Sequence, residues 1–158
     1  MSILITWVHL LAAVAWIGGM LFLSLVLVPV FKCEGFAGER RVLFQTLALR
    51  FRVVVWASII ALVATGSILL TSRVASLAEP EGWPFVLKLK LAAVAVLISL
   101  TAVHDFWLGP KVAGLMRRSP VDRSSTEQTL IRLSPWIVRL GLILALVILL
   151  LAVAVVRT

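Results

Sequence analysis

Apolar positions along the chain gather into four long stretches, at residues 3–30, 51–71, 85–107 and 135–156, with shorter polar segments between them. A helix needs about 20 apolar residues to cross a hydrocarbon core of roughly 30 Å, and each stretch is long enough. None of them alternates polar and apolar with a period of two, which argues against barrel strands. The pattern predicts an all-α integral membrane four-helix bundle forming a single transmembrane domain over residues 1–158. The first stretch carries no Lys or Arg before Lys32 and far exceeds the apolar core of a signal peptide, so it reads as a retained helix.

The connecting segments refine this outline. Gly35 and Gly38 are expected to break the chain after the first helix, and residues 39–50 to extend the second helix out of the membrane, with Leu43, Phe44 and Leu47 on one face. The second connection is short and holds Pro80, Gly82 and Pro84, all turn formers. In the third, Ser124 stands three residues before Glu127, the spacing of a capping box. It predicts a short amphipathic helix that Pro135 ends or kinks.

Charge sets the expected orientation. Lys32, Arg40, Arg41, Arg50 and Arg52 flank the first connection, and Lys111, Arg117, Arg118, Arg123 and Arg132 the third. The other side has only Arg73, Arg157, Lys88 and Lys90. Basic residues collect on the cytoplasmic face, so the chain is expected N-out/C-out. Residues 31–50 and 108–134 become cytoplasmic loops, and both termini periplasmic, in a multi-pass protein of the inner (cytoplasmic) membrane. The 158 residues are 62% hydrophobic and 14% charged, which excludes a soluble enzyme, a disordered tail or a nucleic-acid binder. The net charge of +8 follows from topology, and the expected partner is the lipid bilayer, with no nucleic acid. Six Trp and no Tyr suit a chain that meets headgroups with indole rings.

Ionisable residues inside a span are costly and point to function by default. His9, Lys90, His104, Asp105 and Arg139 meet that description, while Lys88 and Arg52 lie nearer the interfaces. The helical rise puts His9 and Lys90 about 10 Å to the outer side of their helix midpoints, and His104 and Arg139 about 10 Å to the inner side. The two histidines are thus roughly 20 Å apart along the membrane normal and cannot both ligate one haem in one protomer. His9, Ala12, Ala13, Trp16 and Gly19 share a helix face. Small residues on such a face either let a second helix approach or leave a slot for a porphyrin, and both readings stand. Imidazole is a usual axial ligand of haem iron, and Lys or Arg can neutralise propionates. Neighbours on a helix project about 100° apart, so Asp105 is expected to pair with Arg139 or Arg52 more readily than with His104. Copper is the alternative metal, but Cu(I) sites favour sulfur, and this chain has one Cys and three Met without a paired motif.

The segment W-V-H-L-L-A-A-V-A-W-I-G-G-M-L-F at residues 7–22 resembles the first helix of the CopD-like and HemJ-type membrane proteins. Their pattern places a His near the helix start, a Trp seven residues later and then Gly, matched here by His9, Trp16 and Gly19. The L-K-L-K-L-A-A-V-A-V-L segment of the third stretch is similar to the Lys-Leu start of the corresponding helix, with Lys90 the better match, and Arg40-Arg41 also looks similar. The HemJ pattern has an Arg sixteen residues after the His, where this chain has Leu25. The resemblance therefore implies haem binding more directly than protoporphyrinogen oxidation.

Residues and resemblance together predict a membrane protein binding one or two b-type haems, with His9 and His104 as metal ligands. Trp16, Gly19, Arg52, Lys90 and Arg139 are the further cofactor-binding candidates. The expected role is electron transfer or an oxidoreductase reaction, with a quinone as candidate electron partner, and no residue is assigned a catalytic role. A homodimer or a larger membrane complex is the candidate assembly. The alternatives are CopD-like copper transport or resistance, HemJ-like protoporphyrinogen oxidation, and a non-catalytic subunit of a membrane complex.

Overall fold

The computed structural model describes residues 3–27, 29, 37–71, 80–116 and 123–157. All regular structure among them is helical. Helix α1 (Ile3–Phe22) runs into a five-residue π-turn (Leu23–Leu27). Helix α2 spans Ala37–Thr71, and a short 3₁₀ turn follows at Pro80–Gly82. Helix α3 (Phe85–Val103) continues through a second π-turn (His104–Leu108) into α4 (Gly109–Leu115). Helix α5 spans Ser125–Arg157. Four segments, Ile3–Leu27, Thr46–Thr71, Phe85–Leu115 and Ser125–Val155, are long and apolar enough to cross a membrane. The protein is all-α and multi-pass, as the apolar pattern predicts.

Helix ends differ from the expected ones for identifiable reasons. Gly38 lies inside α2 and does not break the chain. The capping box forms: the Glu127 N–H donates to Ser124 Oγ at 3.3 Å, and the Ser124 N–H donates to Glu127 Oε2 at 2.9 Å. The helix it starts does not stop at Pro135 but runs on as α5. A proline removes one backbone bond, whereas a break in hydrocarbon would orphan several groups. Lys32, Cys33, Gly35, Arg73, Arg117, Arg118 and Pro120 lie outside the described residues.

Both π-turns end two residues before a proline, Pro29 and Pro110 respectively. A proline ring clashes with the carbonyl four residues back, and the wider turn shifts that carbonyl out of register. In the second turn the Gly109 N–H donates to the His104 carbonyl five residues earlier. A Cβ on Gly109 would lie 3.0 Å from that oxygen, so glycine suits the position.

Two compact units divide the chain, Met1–Trp83 and Pro84–Thr158. In the first, α1 and α2 pack antiparallel, with Ala12 and Trp16 of α1 and Val55, Ser58 and Ile59 of α2 buried. Gly19 lets Phe51 of α2 in: a Cβ added there would run into the Phe51 ring. Gly19→Leu is therefore expected to lower stability in detergent by about 1–3 kcal/mol through overpacking. Phe51→Ala in the same chain should return much of that loss, and a double-mutant unfolding cycle measures the coupling. In the second unit, α3 and α4 pack on α5, burying Leu87, Leu97, Leu108 and Leu115 together with Ala145. Arg123, two residues before α5, reaches the end of α4: its Nε donates to the Leu115 carbonyl at 3.1 Å.

Polar side chains within the spans turn inward on their own helices. Ser67, Ser99 and Thr101 donate to the carbonyls of Val63, Ala95 and Leu97, each four residues back, at 2.8–2.9 Å. This removes the cost of carrying a hydroxyl into hydrocarbon. Apolar side chains, in contrast, face outward in large numbers, among them Val14, Ile60, Phe85 and Leu150. Such surface belongs against lipid acyl chains.

Candidate functional site

His9 is half-buried on the face of α1 that meets α2. Ala12, Trp16 and Gly19 continue that face at helical spacing, as the sequence predicts, and Trp16 is only 6% exposed. Opposite His9 stand Thr65 and Gly66. A Cβ on Gly66 would lie 3.4 Å from His9 Cε1, so the glycine leaves the imidazole room beside the α2 backbone. The room beside Gly19 is taken by Phe51. These small residues therefore serve close helix packing, one of the two readings open from sequence.

The hydrogen bonds define the state of the imidazole. His9 Nδ1 lies 2.7 Å from Thr65 Oγ1. Thr65 Oγ1 in turn lies 2.6 Å from the Ala61 carbonyl oxygen. A hydroxyl has one hydrogen, and a carbonyl oxygen can only accept. At 2.6 Å that hydrogen must lie between Thr65 and Ala61, the same i−4 bond the other hydroxyls of the spans make. Thr65 Oγ1 is then an acceptor toward His9, and the Nδ1–H donates to it. The tautomer so assigned carries its lone pair on Nε2.

Thr65 was absent from the candidates drawn from sequence. The signal was there to read: Thr65 precedes a glycine and lies about 6 Å to the outer side of the midpoint of the second stretch, close to the depth of His9. Arg52 also belongs to the first unit, half-buried and one residue beyond the Phe51 that fills the Gly19 space.

Lys90, His104 and Arg139 belong to the second unit. Lys90 is half-buried near the start of α3. His104 opens the second π-turn, and its Nδ1 lies 3.1 Å from Asp105 Oδ1. A contact that helical geometry disfavours thus forms. A π-turn holds more residues per turn than an α-helix, so neighbours on it project closer together. The pair is partly covered, with side chains 29% and 17% exposed. Arg139 is exposed, and its guanidinium sits 4.9 Å from the centre of the Trp136 ring. Lys111 repeats the arrangement, 5.0 Å over Trp107. Leu25, where the HemJ pattern has Arg, is on the first π-turn and exposed.

Among the described residues, no three His, Cys, Asp or Glu side chains gather to hold a metal ion. A haem brings four nitrogen donors of its own and asks the protein for only one or two. A single oriented imidazole fits that requirement.

No family model matches the chain. No solved structure matches it at a significant level. An uncharacterised protein of Aquifex aeolicus (strain VF5) is 31% identical over 112 residues, which cover 70% of this chain and 73% of that protein. The chain belongs to the same family as that Aquifex aeolicus protein.

Proposed function

We propose that the protein is a b-type haem protein of the inner membrane that serves electron transfer or an oxidoreductase reaction, with His9 as an axial ligand. One observation carries this reading: the Thr65 hydroxyl accepts the Nδ1–H of His9, so the lone pair belongs to Nε2, the usual arrangement of an iron-bound histidine. The resemblance of residues 7–22 to the CopD-like and HemJ-type first helix supports it. A bound haem supplies a reversible one-electron couple. The chain's own residues have the remaining tasks. His9 holds the iron and Thr65 fixes the ring. Arg52 in the first unit, and Lys90 and Arg139 in the second, are the cations suited to propionates or to the oxyanion of a reduced quinone. His104, oriented by Asp105, is the candidate ligand for a second haem. The basic residues favour an N-out/C-out orientation with both termini periplasmic.

CopD-like copper movement is the second reading, with His9 and His104 as stations, and the sulfur-poor composition weighs against it. The visible spectrum of the purified protein tests the choice. A Soret band with sharp reduced alpha bands, at a haem-to-protein ratio of one or two, is expected. No such bands, together with bound copper in elemental assay, would transfer the assignment to the copper reading.

A further inference from the structure

The N-terminal end of α5 carries a second kind of site, unrelated to the histidines. An open surface depression of about 260 Å³ lies there, lined by Arg123, Gln128, Ile131 and Arg132. Gln128, Ile131 and Arg132 share one face of α5 at i, i+3 and i+4 spacing. Gln128 Nε2 donates to the Arg123 carbonyl at 3.4 Å, which draws the fourth wall to that face. Arg123 is held in place from behind, its guanidinium bonded to the Leu115 carbonyl at 3.1 Å and the Met116 carbonyl at 3.5 Å. The nearby carboxylate of Glu127 is turned to the Ser124 N–H. The lining is thus two guanidinium groups, an amide and one apolar side chain.

We propose that this depression binds the phosphate headgroup of an anionic phospholipid from the surrounding bilayer. Two guanidiniums match a phosphodiester in charge and in donor geometry. Ile131 offers apolar surface for the glycerol and the start of an acyl chain. The position fits the same ligand: between Arg132 and Arg139 α5 changes from an amphipathic start to a run with no charged residue before Arg157, the depth at which headgroups lie. Exposed Trp107 beneath Lys111 and exposed Trp136 beneath Arg139 flank the depression in sequence on either side. Indole and cation side by side are characteristic of that interfacial layer.

The test is native mass spectrometry of the full chain in detergent, titrated with phosphatidylglycerol and, separately, with phosphatidylcholine of the same acyl chains. One phosphatidylglycerol is expected to be retained in preference to phosphatidylcholine. Arg132→Gln, a change at an exposed side chain, should weaken that retention by about fivefold. Arg50→Gln removes the same charge from an exposed position of the first unit and should leave it unchanged. Equal loss in both variants would mean attraction to net charge and would overturn the site. Displacement of the lipid by millimolar inorganic phosphate would overturn it too, since the depression would then be a phosphate site indifferent to the acyl chains. Retained helicity by circular dichroism shows that Arg132→Gln still folds.

Discussion

Purified His9→Ala protein is expected to lose the Soret and reduced alpha bands of a haem bound through this residue. A haem iron held through one imidazole has no substitute donor in alanine, so the loss at that site should be complete rather than graded. Folding should survive. Loss of the His9–Thr65 hydrogen bond between α1 and α2 carries a net cost of about 1 kcal/mol, while Thr65 keeps its bond to Ala61. Circular dichroism and size-exclusion behaviour in detergent separate a folded, haem-free protein from a collapsed one. His104→Ala is the companion measurement. A fall of one haem per chain assigns the second site to the His104–Asp105 turn, and an unchanged ratio confines binding to His9. If His9→Ala kept the wild-type spectrum and haem content, the ligand assignment would be wrong and the imidazole purely a packing group.

The sequence exposes some of this architecture and hides the rest, for physical reasons. Crossing a bilayer demands uninterrupted apolar length, so the four spans stand out without reference to tertiary structure. The Ser124–Glu127 box is a local motif closed within one turn and is equally legible. The face of α1 with His9, Ala12, Trp16 and Gly19 follows from helical period alone. What meets that face does not, because pairing across helices depends on register. Phe51 against Gly19 and Thr65 against His9 are decided by the antiparallel alignment of α1 and α2. The π-turns are hidden for another reason: a proline marks an end or a kink as readily as a wide turn, and Pro29 and Pro110 are accommodated by one widened turn upstream. That same widening brings His104 and Asp105 together, a pairing that a regular α-helix argues against.

Thr65→Val should weaken haem binding about 10- to 100-fold, the usual effect of losing the group that orients a metal-bound histidine. Valine nearly keeps the shape of threonine, so the α1–α2 contact stays filled and the change isolates the hydroxyl. Without it the Nδ1–H of His9 loses its acceptor, and a partly buried donor must find another or give up its proton to Nε2. The second outcome takes the lone pair away from the nitrogen assigned to the iron. Nitrogen-15 shifts of His9 in haem-free protein read this directly: wild type should show the proton on Nδ1, and Thr65→Val a mixture of both tautomers. Thr65→Ser retains an oxygen on the same Cβ and should restore both the tautomer and the affinity. A merely structural threonine would give a different pattern, with Thr65→Val changing thermal stability while the tautomer stayed fixed. That result would leave His9 as the ligand candidate but remove Thr65 from its support, and with it the hydrogen-bond argument for Nε2.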